Sequence, residues 1–282
     1  MDRPAIRRMR PLLGTFVEIS VRAPRRLAET AIEAAFDAMA EVQRQMSFFD
    51  PESDLSRLNL HAWRRPVSVN PSTFRLLCLA RNIARTSEGL FDFTVGGRLV
   101  RDGRLPDHGF ASLDAEGWDA LELLPRLRVR LKRPVVLTLD GIAKGYAVDT
   151  AVQALLGHGI TRGMVNAGGD LRLFGPDPTP IAVREPSGSI TSLGSWSNTA
   201  MATSAVGLSA EDQVRFPSCI LTPNSCDGQA CPHFNHCPKA WTVIAGEAWR
   251  ADALTKVAAL APETGRMARI ARLGGKLIGP EP

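Results

Sequence analysis

Long apolar runs are missing from this 282-residue chain. No stretch reaches the ~18 consecutive apolar residues that a membrane helix needs. The N-terminal MDRPAIRRMRPLLG starts basic, without the apolar core or small-residue cleavage site of a secretory leader. The expectation is a cytoplasmic protein with no membrane span. Cysteine is scarce too: of five, Cys219, Cys226, Cys231 and Cys237 crowd one stretch and Cys78 stands alone. An odd count without a leader argues against a disulfide framework. Charge of one sign is not banded either. Lys and Arg number 34 against 29 Asp and Glu, a net +5 scattered along the chain. That pattern reads as a solvated basic surface, and no nucleic-acid partner is expected. Repeats and low-complexity segments are absent.

What is present is the composition of an ordinary soluble protein, 44% hydrophobic and 22% charged. The length suffices for one large domain or two close-packed ones, and a single domain over 1–282 is expected. TFVEISVR (Thr15 to Arg22) alternates apolar and polar residues, as a half-buried strand does. Between Leu27 and Met46, Ile32, Ala35, Phe36, Met39, Val42 and Met46 recur at helical spacing. Asn70-Pro71 has the form of an N-cap followed by proline at the first helical position, opening a helix that stops near Gly89. PVVLTL (Pro134 to Leu139) has the composition of a buried strand, with a helix after it through Leu156. GMVNAGGDLRLFG reads as two short strands around Gly168-Gly169. IAVRE and AWTVIAG add strands, and helices are expected over Glu247 to Leu260 and Thr264 to Leu273. Strands and helices mix without regular alternation, so the fold class is α+β.

Several stretches carry polar groups that chemistry could use. LDGIAKGYAVD sets Asp140, Gly141, Lys144 and Gly145 where strand becomes helix. Such a turn presents backbone N–H groups and the positive end of a helix dipole to a phosphate, and it also occurs as a plain connection. NAGGDL (Asn166 to Leu171) is either a close backbone approach to a ligand or a hairpin turn. MATSA (Met201 to Ala205) offers small hydroxyl residues at a strand end, and FDFTVG (Phe91 to Gly96) sets an acid among aromatics. In RADALTKVAAL, Asp252 and Lys256 lie four apart: a surface ion pair, or a carboxylate placed to bind a hard cation with Thr255 as neighbour. The stretch from Cys219 to Cys237, with His233 and His236 inside it, is dense in soft ligands. Its spacing matches no standard zinc knuckle, and an exposed insertion over about 219–239 is the plainer reading.

Taken in order, LLGTFVEI, MSFFDPESDLSRLN, FDFTVG, LDGIAKGYAVD, VNAGGDL, ATSA and ADALTKV resemble the ApbE family, the FAD:protein FMN transferases. The resemblance spans about Leu12 to Leu260. It implies a T-fold-like α+β architecture, with helices on mixed or antiparallel sheets around an FAD cleft. It further implies Mg2+-dependent transfer of FMN from FAD to a threonine or serine hydroxyl of a target flavoprotein, with release of AMP. On this resemblance Asp252 and Lys144 carry the chemistry, and Gly141, Asp252 and Thr255 meet the metal. Leu13 and Phe49 flank the flavin, and Phe91, Asp92 and Phe93 line the cleft. Lys144, Gly168, Gly169, Asp170 and Ile220 complete the implied FAD contacts.

The sequence departs from the family pattern in three places. Thr138 stands where an aspartate is usual, with Asp140 two positions later. The segment that usually reads H-I-I-D-P-x-T-G is CILTPNSC here, from Cys219 to Cys226, without its histidine and aspartate. The metal-side D-A-L-x-T is Asp252-Ala253-Leu254-Thr255-Lys256, with threonine one place early. A second reading therefore stands beside the first: a non-catalytic flavin-binding accessory protein.

Overall fold

The computed structural model describes residues 4–185, 188–206, 220–221 and 239–278. The chain forms two compact units, Met1–Met39 with Lys144–Pro282, and Ala40–Ala143. Seven helices and antiparallel sheets make up the described residues, so the fold is α+β as expected.

The first unit is built on a seven-stranded sheet. Its strands are β1 (Ile6–Leu12), β2 (Thr15–Val21), β6 (Gly163–Ala167), β7 (Asp170–Phe174), β10 (Ala200–Val206), β11 (Lys239–Ala245) and β12 (Gly275–Ile278), in that spatial order. The alternation read in TFVEISV is the pleat itself: Val17, Ile19 and Val21 are fully buried on one face. On the other face Leu171, Leu173, Met201 and Ile244 form a second cluster with Ile181. Ile181 comes from a separate hairpin of β8 (Thr179–Arg184) and β9 (Ile190–Trp196). β1 is the element that composition conceals. IRRMRPL looks like a basic tail, yet it pairs with β2 from Ile6↔Val21 to Leu12↔Thr15. Its arginines find acids instead of a core: Arg7 reaches Glu18, and Arg10 reaches Glu33 while lying over the Phe36 ring. Charged side chains on an edge strand also discourage pairing with another chain.

Three helices belong with this sheet in sequence: α5 (Ala143–Gly157), α6 (Ala248–Leu260) and α7 (Arg266–Arg272). α7 starts later than its apolar pattern suggests because Gly265 takes a left-handed φ of 80°. Helix α1 (Arg25–Met46) buries the predicted face, with Ile32, Ala35, Phe36, Met39, Val42 and Met46 all inside.

The second unit holds α2 (Asp54–His61), α3 (Pro71–Thr86), α4 (Gly96–Arg101) and a sheet of β3 (Val67–Ser68), β5 (Arg128–Leu131) and β4 (Leu121–Leu124). Asn70 caps α3 through its side chain to Ser72 N–H, with Pro71 at the first turn, as the sequence predicts. Asp54 ties the same corner together, accepting from Asn70 N–H at 2.7 Å and from the Thr73 hydroxyl at 2.8 Å.

The strand expected over Pro134 to Leu139 does not form. The segment is buried, but its only strand-like pairing among the described residues is one isolated parallel bridge, Val95↔Val136. Side chains and loops stand in for strand partners. The buried Asn59 amide bonds both polar groups of Leu137, donating to its carbonyl at 3.0 Å and accepting from its N–H at 2.8 Å. Thr138 N–H donates to the Phe93 carbonyl. Burial without pairing would be costly, and one side-chain amide imitates the missing strand. Replacing Asn59 by Leu should therefore leave two buried backbone groups unpaired. The expected loss is about 3 kcal/mol of unfolding free energy, read from chemical denaturation; a loss within experimental error would show that Leu137 finds other partners.

Candidate active site

α6 is apolar around most of its circumference, and Asp252 and Thr255 are wholly buried within it. Asp252 is therefore not half of a surface ion pair. A buried carboxylate must be met by donors, and two meet this one. Its Oδ2 accepts the Gly145 N–H at 3.2 Å, and its Oδ1 is paired with Lys256. Gly145 makes the first contact possible. A Cβ built there would lie 2.3 Å from the Ala248 carbonyl oxygen and 2.7 Å from Trp249 N, so no larger residue fits between the starts of α5 and α6. The glycine after Lys144 is thus a helix-crossing residue.

The same crossing is held by Asp149, one turn further along α5. The residue at the N-cap of α6, Glu247, makes no side-chain cap. Asp149 caps the helix from outside, accepting from Ala248 N–H at 3.0 Å and Trp249 N–H at 2.9 Å. Arg172 on β7 pairs with it at 2.5 Å. Burial raises the Asp149 carboxyl above its ordinary range, and those N–H donors and the guanidinium oppose that rise. A carboxylate inside the otherwise apolar run of YAVDTAV was the available signal for this role.

Lys256 is held on three sides. Its ammonium contacts Asp252 Oδ1, donates to the Asp252 carbonyl at 3.1 Å and to Ser204 Oγ on β10 at 3.3 Å. Ser204 and Thr255 hydroxyls are 2.8 Å apart, and Thr255 donates to the Asp252 carbonyl at 2.7 Å. Each hydroxyl has one proton, which fixes the direction: Lys256 to Ser204, Ser204 to Thr255, Thr255 to the backbone. MATSA lies within β10 rather than at its end, and Ser204 is the hydroxyl it supplies to this network.

Asp170 opens β7 and is almost completely buried. Lys144 Nζ lies 3.5 Å from its Oδ2, within ion-pair range, yet that oxygen has no hydrogen-bond partner among the described residues. Burial first, and then the neighbouring Asp252 charge, push its carboxyl up to about 6, against the pull of Lys144 and Lys256. Four charged side chains, Lys144, Asp170, Asp252 and Lys256, thus act on one another.

The glycine pair before Asp170 turns the chain. Gly168 has φ 62° and Gly169 φ 103°, and Asn166 Oδ1 accepts the Gly169 N–H at 3.0 Å. A Cβ on Gly168 would meet Thr15 Oγ1 at 2.6 Å, which sets this turn beside the start of β2. The β1–β2 turn next to it is two residues, Leu13 and Gly14, with φ 56° and 70°. A leucine held in the left-handed region is strained. The structure therefore gathers Leu13, Lys144, Gly168, Gly169, Asp170, Asp252 and Thr255 into one unit.

Phe49, Phe91, Asp92, Phe93 and Gly141 belong to the other unit. There Phe91 and Phe93 are core residues, while Phe49 is 65% exposed beside the buried Phe48. Asp92 Oδ1 accepts from Thr94 N–H at 2.8 Å and from its hydroxyl at 2.7 Å, and burial raises its carboxyl. Gly141 sits in the tight turn in which Ile142 and Ala143 N–H groups donate to Leu139. Ile220 is half-buried next to the buried Leu221. The Cys/His stretch otherwise lies outside the described residues, and no cluster of metal-type ligands occurs among those described.

The model of the ApbE family matches residues 13–277. A FAD:protein FMN transferase of Vibrio cholerae serotype O1 is 29% identical over 201 residues, covering 63% of this chain and 58% of that protein. One of Rhodobacter capsulatus is 30% identical over 192 residues, covering 62% and 36%. The match thus spans less than two thirds of either relative. Among solved structures, the ApbE protein of Thermotoga maritima superposes with a TM-score of 0.77 at 26% identity, over 97% of this chain and 93% of that one. The apo flavinyl transferase ApbE of Pseudomonas stutzeri has a TM-score of 0.75 at 21% identity, over 98% and 92%, and shares the fold.

The Asp170 carboxyl has a consequence for stability. Its native value near 6 lies above the ordinary 3.8, so the folded state binds its proton more tightly than the unfolded chain does. Its contribution is fully favourable below about pH 4 and is lost as pH rises through 6, a difference of about 3 kcal/mol. Asp170→Asn should remove that loss. The variant should gain stability relative to wild type as pH rises from about 4 to about 6.5, and no further above that, in denaturant titrations. A difference that does not change with pH would show that Asp170 is ionised at no cost.

Proposed function

The chain belongs to the ApbE family, and on that premise we propose that it transfers FMN from FAD to a threonine or serine hydroxyl of a target flavoprotein, releasing AMP. The observation that carries the reading is the buried Asp170 oxygen without a hydrogen-bond partner, set beside Lys144 and Asp252 at the start of α5. A buried carboxylate oxygen with an ammonium at ion-pair distance and no closer donor among the described residues keeps acceptor capacity suited to a hard cation.

In the proposed reaction the acceptor hydroxyl oxygen bonds to the FMN-side phosphorus of FAD. The P–O bond to the bridging oxygen breaks, AMP leaves with that oxygen, and the hydroxyl proton is released. Such transfers depend on positioning and on charge stabilisation. Lys144, at the positive end of α5, is suited to the diphosphate charge. Leu13 and the Gly168-Gly169 turn are suited to the body of the dinucleotide, where a strained apolar side chain and bare backbone allow close approach. Asp252 and Asp170 are hard oxygen donors that fit Mg2+, and the buried Oδ2 of Asp170, with the Lys144 ammonium 3.5 Å away and no closer donor among the described residues, is what supports that fit. Such a cation, when bound, would supply Lewis-acid neutralisation of phosphate charge.

Incubation with FAD, Mg2+ and a threonine-containing acceptor domain, followed by intact-mass measurement, tests the reading. The acceptor should gain the mass of one FMN moiety with AMP in equal amount. Flavin binding without any mass gain would favour the accessory-protein reading. Asp252→Asn should abolish AMP release while leaving the far-UV circular dichroism spectrum unchanged, because the amide keeps the shape but not the charge. Release at the wild-type rate would remove Asp252 from the machinery.

A further inference from the structure

We propose that the Lys256 ammonium is the resident counter-cation of Asp252, so that a divalent metal reaches this carboxylate only together with the diphosphate of a dinucleotide. The second half rests on the flavin-transfer reading; the first rests on geometry alone. Lys256 is not a solvated surface lysine, since its side chain is only 18% exposed. An ammonium has three N–H donors, and three acceptors surround this one: Asp252 Oδ1, the Asp252 carbonyl and Ser204 Oγ. The Ser204–Thr255 pair fixes the last of these in orientation. A side chain so completely met is a built part of the site.

Charge balance gives the consequence. Asp170 and Asp252 bring two negative charges, and Lys144 and Lys256 two positive ones. The sum is zero before any metal arrives. A divalent cation entering alone would put two uncompensated positive charges beside two buried carboxylates already paired with ammonium groups, which their low-dielectric surroundings oppose. It must then displace Lys256 or arrive with anions. The diphosphate of a dinucleotide carries two negative charges and restores the balance.

Binding of Mn2+ as a Mg2+ substitute, followed by the electron paramagnetic resonance of the free ion, reads this without any turnover. Wild-type protein alone should bind Mn2+ weakly, and addition of FAD should create a tight site. Lys256→Met should bind Mn2+ without FAD about tenfold or more tightly than wild type, because one buried carboxylate is released from a competing cation. Lys256→Met with Asp252→Asn should lose that gain. The single variant should also melt lower than wild type and be restored by Mn2+, so a loss of stability becomes a second readout. Tight Mn2+ binding by wild type alone, or no gain in Lys256→Met, would overturn the counter-cation role and leave the flavin-transfer reading standing. A gain in Lys256→Met with no effect of FAD on wild type would overturn the coupling to the diphosphate and count against the flavin-transfer reading itself.

Discussion

The contact between the Gly145 N–H and the Asp252 carboxylate is the constraint from which the rest of the site follows. It joins the first turn of α5 to the middle of the first half of α6, and it requires backbone against backbone, since a Cβ at Gly145 would overlap Ala248. Asp149 reinforces the approach by capping α6 from α5. With the two helices fixed, Lys144 points its charge toward Asp170 at the head of β7, and Lys256 is delivered to Asp252 and Ser204. Two buried carboxylates and two partly covered ammonium groups then share one place, and each has a structural reason to be there.

Such a cluster contributes little to folding. Burying ions costs several kcal/mol apiece before pairing returns it, and the raised Asp170 carboxyl shows that the return is incomplete. The strained Leu13 adds to the same account of local cost beside the site. Stability comes from elsewhere, from the two apolar faces of the seven-stranded sheet and from the buried face of α1.

Much of this was legible in the residues. β2, α1 and the capped start of α3 follow from period and capping chemistry, and the Gly168-Gly169 hairpin follows from its turn residues. Of the residues that the ordered motifs name, Leu13, Lys144, Gly168, Gly169, Asp170, Asp252 and Thr255 fall in one unit. What stayed hidden depended on tertiary partners. Pro134 to Leu139 has strand composition, but whether a strand pairs depends on what lies beside it, and here that is the Asn59 amide. β1 hides because its outward residues are arginines satisfied by acids on other elements, Glu18 of β2 and Glu33 of α1. Asp252 and Lys256 have the spacing of a surface pair, and only the apolar circumference of α6 reveals that Asp252 is buried and Lys256 mostly covered. Asp149 is marked only as a carboxylate in an apolar run and Ser204 only as a hydroxyl in MATSA; their roles arise where α5, α6 and β10 meet.

The most direct test of this account is anomalous scattering from crystals soaked in Mn2+, with and without FAD. The account predicts a manganese peak beside Asp252 and Asp170 only when the dinucleotide is present, with its diphosphate near Lys144 and Lys256 still in place without FAD. A manganese peak on Asp252 in the absence of FAD, with the Lys256 ammonium displaced, would contradict it.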